Sequence, residues 1–220
     1  MDSFLNSFEP LKFTPQLEAV LEIQEHMRRV MNDLALVYAQ SCHGYAFLAE
    51  HLEQERASLV KQLTEMVGTE EAHKIYEVMS QVLIEKRVPT DIEAPRAVET
   101  LEHLHSRVGA RGENVAALGA FCVIALYQYW EDSWRPRLAE ALAKPKNEIA
   151  SDLWGDIRLI RICLIHKRGI ADAATANESK ELHWFFEGQS IVIDSPKFIE
   201  LMARVRDLME RLPLIYESPR

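Results

Sequence analysis

Glycine is scarce in this chain, 8 residues of 220, and none of them builds a Gly-x-Gly-x-x-Gly turn or a phosphate-cradling loop. That excludes the doubly wound nucleotide enzymes. Cysteine is rarer still. Cys42, Cys122 and Cys163 are odd in number, far apart and without a Cys-x-x-Cys pair. A disulfide scaffold and a zinc ribbon are therefore excluded, and a reducing, cytoplasmic setting is expected. The longest run without a polar side chain, Val115 to Tyr127, has 13 residues, against the roughly 20 that a membrane span needs. No basic segment followed by an apolar stretch stands at Met1-Asp2-Ser3-Phe4, so neither a secretory signal nor a membrane partner is expected.

What is present is the balance of a soluble globular protein: 48% hydrophobic and 27% charged residues, enough to build a sizeable core. The net charge of −9 is unevenly spread. Arg135 to Arg168 holds eight basic residues and four acids, a local +4 against −13 for the rest of the chain. An acidic protein with one basic district is a poor bulk coat for nucleic acid but can hold a phosphate backbone locally.

The periodicity is helical nearly throughout. Leu17, Val20, Leu21, Met27, Val30, Met31, Leu34 and Val37 recur at steps of three and four, and Leu48 to Val67 repeats the pattern. Gly44 leaves open whether this is one helix or a helical hairpin. Gly68-Thr69 closes it, with Thr69 as N-cap of a helix reaching about Arg87. Val88-Pro89-Thr90-Asp91, with Pro95 beyond, reads as a linker. It divides an N-terminal helical extension, residues 1–93, from a helical domain, residues 94–220. Beyond it the pattern gives helices from Arg96 to Val108 and from Glu113 to Lys144. Another begins at Asn147 or Ser151, runs to Lys167 and stops at Gly169. Leu182-His183-Trp184-Phe185-Phe186 and Ile191-Val192-Ile193 read as a short β-hairpin. Ser195-Pro196 opens a last helix to Leu212. The fold class is all-α with a minor hairpin.

The stretch with most chemistry is Trp154-Gly-Asp-Ile-Arg158-Leu-Ile-Arg161-Ile-Cys-Leu-Ile-His166-Lys-Arg-Gly169. Arg161 and His166 have four residues between them at a helix end. This resembles the Arg-x(4–6)-His motif of the HEPN superfamily, helical proteins many of which cut RNA in antiphage defence and toxin systems. The apolar helix ending in Tyr127-Gln-Tyr-Trp-Glu131-Asp132, followed by the motif helix and a closing helix, agrees with that resemblance over about Ala94 to Leu212.

The resemblance implies a homodimeric, cytoplasmic endoribonuclease that needs no metal and no cofactor. The ribose 2′-hydroxyl would attack the neighbouring phosphate, with His166 as general acid or base and Arg161 as phosphate clamp. Arg158, Lys167 and Arg168 would contact RNA, and Glu131 or Asp132 would orient the motif. An antitoxin or regulatory partner is implied by the family's toxin members. The apolar helix from Val115 to Tyr127 is the expected dimer-facing element. Five helical steps turn about 140°, so Arg161 and His166 converge only at a frayed helix end or across two subunits. Ile162 stands where family enzymes often carry a polar residue, which keeps a non-catalytic interaction module open. A third reading is a carboxylate-bridged metal bundle, from the Glu-x-x-His pairs Glu70/His73 and Glu102/His105. Trp184 is a candidate base-stacking residue.

Overall fold

The structure, a computed structural model, describes residues 14–81, 83–86, 97–109 and 111–217, with side chains over 14–81, 100–109 and 111–212. The fold is all-α. Its helices are α1 (Pro15–Val67), α2 (Thr69–Ser80), α3 (Leu101–Val108), α4 (Glu113–Tyr129), α5 (Arg135–Ala141), α6 (Asp152–His166), α7 (Ala173–Asn177) and α8 (Ser195–Glu217). Two short strands, β1 (Leu83–Lys86) and β2 (Ala97–Thr100), pair antiparallel. Among the described residues no single helix is long and apolar enough to cross a membrane.

By packing, the chain forms two compact units, one of residues 1–35, 122–191 and 199–220, the other of residues 36–121 and 192–198. The expected division at residue 93, like the Val88–Asp91 linker and Pro95, lies outside the described residues.

In the first unit, the start of α1 is stitched to the C-terminal half of the chain. Thr14 caps α1 through its hydroxyl, 3.2 Å from the Leu17 N–H, and Pro15 sits where its missing N–H costs nothing. The inward stripe Val20, Ile23, Met27, Val30 and Met31 is buried, as are Leu126, Leu153, Ile157, Ile160, Leu201, Val205 and Met209. Each such side chain contributes roughly 1.5–3 kcal/mol by leaving water. Gln24 donates to the Met209 carbonyl at 2.9 Å, so this part of α1 is integral to the unit. Trp130 and Trp154 stack at 4.7 Å. Trp134 is fully buried and donates its indole N–H to His26 Nδ1 at 3.3 Å. Arg137 approaches the same nitrogen at 3.3 Å. Both neighbours can only donate, so Nδ1 accepts and the ring proton sits on Nε2.

In the second unit, Leu52, Leu104 and Val108 form a small core packed by Tyr45, Leu48, Ala49 and Leu101. Tyr38 stacks on Phe198 at 3.9 Å and shares a 3.0 Å hydrogen bond with Ser195 Oγ. Burial pushes the Tyr38 hydroxyl up to about 12, against the lowering effect of Ser195. Gly119 lets α4 lie against the Ile193 backbone; any Cβ there would collide with the Ile193 carbonyl.

Several expectations are corrected by these elements. Residues Pro15–Val67 form one continuous helix through Gly44. Thr69 makes no side-chain cap, because Gly68 holds the N-cap position with φ +86°. α2 ends at Ser80 and α3 begins only at Leu101, since the residues expected to extend them pair as β1 and β2. The helix expected over Glu113–Lys144 is interrupted by a π-turn, Trp130–Trp134, in which the Arg135 N–H reaches the Trp130 carbonyl. Pro136 explains the widening, because its ring would clash with the carbonyl four residues back in a regular helix. Asp194, not Ser195, caps α8, its carboxylate 3.1 Å from the Lys197 N–H.

The hairpin over Leu182–Ile193 does not form, because its backbone groups are engaged elsewhere. The N–H groups of Lys180, Glu181 and Leu182 all donate to the Asp156 carboxylate, at 2.7–3.0 Å. The second half pairs instead with the residues after α6: Ala171 donates to Gln189, Gly188 to Ala171 and Ile191 to Gly169. Asp156 is 2% exposed and therefore holds a whole loop against α6. Asp156→Ala should lower unfolding free energy in urea by about 3 kcal/mol or more, since three amides lose a charged acceptor. Asp152→Ala, which removes only an exposed pair with Lys180, should leave the urea midpoint nearly unchanged.

Candidate RNA-binding and cleavage site

The motif residues all lie on α6 or just beyond it, and their surroundings differ sharply. Arg161 is half-buried. Its guanidinium lies over the Tyr127 ring, 5.5 Å from the centroid, and Nη2 donates to Gln128 Oε1 at 3.4 Å. Its Nε is buried with no hydrogen-bond partner. Gln128 in turn donates its amide N–H to the Asp132 carboxylate. A carboxylate only accepts, so this bond fixes the amide with its oxygen toward Arg161. Asp132 thus acts on the motif arginine through Gln128.

Glu131 is spent elsewhere. It pairs with Arg135 at 3.0 Å and with Lys146 at 2.7 Å. Partial burial pushes its carboxyl up, yet the hydrogen bonds and charges of Lys146 and Arg135 outweigh that and hold it below the ordinary range. Arg135 also clasps the Lys146 and Ile149 carbonyls, at 3.1 and 2.8 Å, which fixes the turn leading into α6. Tyr127 is nearly buried, and that burial, reinforced by Glu131, raises its hydroxyl pKa against the pull of Arg158, Arg135 and Arg161. Tyr127 and Gln128 are the site residues that sequence reasoning missed. Their signal, an aromatic and an amide at the end of an apolar helix, is visible only once Arg161 is placed beside them.

His166 is exposed, and so are Arg158, Lys167 and Arg168. α6 stays regular through His166, and the Lys167 N–H still donates to the Cys163 carbonyl at 3.1 Å. The frayed helix end that would bring His166 back toward Arg161 is therefore not formed. The two residues stand about 140° apart around the axis and about 7.5 Å apart along it. One chain does not place them on one face. The helix stops at two successive left-handed residues, Arg168 (φ +56°) and Gly169 (φ +72°). The first is a conformation that side chains other than glycine seldom adopt.

The other candidates are more ordinary. Cys163 is fully buried, with Sγ 3.1 Å from the Thr175 hydroxyl. Trp184 is half-buried and donates to Glu200 Oε2 at 3.1 Å. Most of the inward face of Val115–Tyr127 is covered within one chain, and Phe121, 68% exposed, is its large apolar residue facing solvent. Glu70 pairs with Lys74. Glu102 accepts from Gln81, and with His105, Arg56 and Tyr76 it lines a cleft of about 620 Å³ in the second unit. Among the described residues no three His, Cys, Asp or Glu side chains converge as a metal cage.

Three stability measurements follow. Arg161→Ala should cost about 1–2 kcal/mol of unfolding free energy, because the guanidinium packs on Tyr127. His166→Ala, exposed and unpartnered, should stay within about 0.5 kcal/mol of wild type. Glu131, with its folded pKa depressed, contributes stability above the free value of about pH 4.3 and loses it as pH falls through the folded value. The difference in melting temperature between wild type and Glu131→Gln should therefore be largest at neutral pH and shrink below about pH 4. A difference independent of pH would contradict the pairing.

Compared with known proteins, the chain matches no family model, no curated protein and no solved structure.

Proposed function

We propose that this chain is an RNA-binding protein of the cytoplasm whose contact surface is the basic end of α6. Its activity is metal-independent RNA cleavage by a homodimer, His166 of one subunit meeting Arg161 of the other. One observation carries the reading. Arg158, His166, Lys167 and Arg168 are exposed, and among the described residues none of their side chains forms an ion pair or hydrogen bond. In a chain of net charge −9, acids are plentiful, yet these basic side chains are left open to solvent. Such a cluster is suited to phosphates, which would release counterions on binding.

The chemistry asked of each group is modest. The 2′-hydroxyl loses its proton to a base as its oxygen attacks the adjacent phosphorus. The 5′-oxygen leaves with a proton from an acid, giving a 2′,3′-cyclic phosphate and a free 5′-hydroxyl. Imidazole serves either proton transfer near neutral pH. A guanidinium held by Tyr127 and Gln128 is preorganised to offset charge on the equatorial oxygens. Because the two side chains diverge on one helix, a single phosphate meets both only across a two-fold axis.

A second reading, a non-catalytic RNA-binding module, is favoured by a different observation. Arg161 is already engaged by Tyr127 and Gln128, and Ile162 follows it in place of a polar residue.

Cleavage of total RNA in EDTA separates the two. Wild type should cut and leave 2′,3′-cyclic ends. His166→Ala should lose at least about a hundredfold in rate, the scale of one proton-transfer group. Arg161→Lys, which keeps the charge and the packing but not the fork, should also be strongly impaired. Binding without any cleavage would establish the non-catalytic module, and activity abolished by EDTA would contradict both readings.

A further inference from the structure

We propose that Phe186 is a base-stacking residue for single-stranded RNA, held beside the basic end of α6; this rests on the RNA-binding reading above. Phe186 is 79% exposed, as Phe47 and Phe121 also largely are, but unlike them it stands on the segment whose backbone pairs with the end of α6. The other aromatic residues of its stretch are employed: Phe185 is buried, and Trp184 is tied to Glu200. Phe186 opens a tight turn whose tip is Glu187-Gly188. The Gln189 N–H donates to the Phe186 carbonyl at 3.0 Å, and the Gln189 side chain accepts from the Phe186 N–H at 3.1 Å. Gly188, at φ +80°, supplies the left-handed residue that this turn needs.

The turn is fastened to the chain directly after the basic cluster. Gly188 donates to Ala171 at 2.9 Å, Ala171 to Gln189 at 2.8 Å and Ile191 to Gly169 at 2.7 Å, around an isolated bridge between Ile170 and Ser190. The ring is therefore carried on the same rigid piece of backbone that ends α6. From Ile165 to Ala171 the sequence has no acid, while His166, Lys167 and Arg168 are exposed. The carboxylate of Asp172 is turned onto Thr175, accepting from its N–H and hydroxyl at 3.0 Å each. Glu187, exposed at the tip, disfavours phosphates there. Phosphates are thus directed over Lys167 and Arg168, and unpaired bases toward the Phe186 face. A ring exposed beside a basic track is how sequence-tolerant single-strand binding is built, whereas a duplex keeps its base faces stacked away.

The test is fluorescence anisotropy in EDTA with a labelled 2′-O-methyl oligonucleotide of about 12 residues, which lacks the attacking hydroxyl and so stays intact. The same strand annealed to its complement is the control. Phe186→Ala should weaken single-strand binding about tenfold, leave duplex binding unchanged and keep the salt dependence. Phe186→Trp should preserve affinity. Lys167→Ala with Arg168→Ala should weaken both probes and flatten the salt dependence. If the double variant loses affinity while Phe186→Ala binds like wild type, the stacking role is overturned and the RNA-binding reading stands. Equal losses on single strand and duplex also overturn it. Wild type that binds neither probe overturns both proposals.

Discussion

The buried carboxylate of Asp156 is the interaction on which the first unit depends. A charge removed from water must be compensated at once, and here three successive backbone N–H groups, Lys180 to Leu182, do so. That bond set clamps the loop after α7 onto the inward face of α6. The loop, in turn, delivers the Phe186 turn and the Gly169–Ala171 pairing to the end of the helix. The same helix carries Arg158, Arg161 and His166, so the buried carboxylate and the candidate site share one element.

The site combines rigid and open parts. Arg161 is held by an aromatic face and by an amide whose orientation a carboxylate sets. His166, Lys167 and Arg168 project into solvent from a helix end whose last residues adopt left-handed backbone. A phosphate clamp benefits from being fixed before substrate arrives, since less freedom is lost on binding. An exposed imidazole has no such support within one chain. That asymmetry is what the proposed reading answers by sharing the site between two copies.

The all-α class was legible because apolar residues at three- and four-residue steps leave little alternative; of the stripe read along α1, Val20, Met27, Val30 and Met31 are buried, whereas Val37 is 51% exposed. Local signals failed where distant groups compete. Leu182–Phe186 has strand-like side chains, but a carboxylate some 25 residues earlier takes its amide hydrogens, and no pattern in the stretch itself announces that. Pro136 lies inside a stretch read from the sequence as one continuous helix, and that reading missed the break it makes at Trp130–Trp134. Arg161 and His166 could be chosen by type and spacing. The contact between Gln128 and Arg161 could not, because it joins residues 33 apart through helix packing. Glu131 and Asp132 were both read as orienting acids; Glu131 pairs with Arg135 and Lys146, and Asp132 reaches Arg161 only through the Gln128 amide.

The most direct test of the two-subunit site is complementation between Arg161→Lys and His166→Ala, each inactive alone, unfolded together and refolded as a mixture before RNA is added in EDTA. Mixed dimers then hold one intact pair, an arginine from one subunit and a histidine from the other. Recovery of cleavage in the mixture is the result this account predicts. A mixture that forms mixed dimers and remains as inactive as either variant alone, while wild type treated identically cuts RNA, would contradict it.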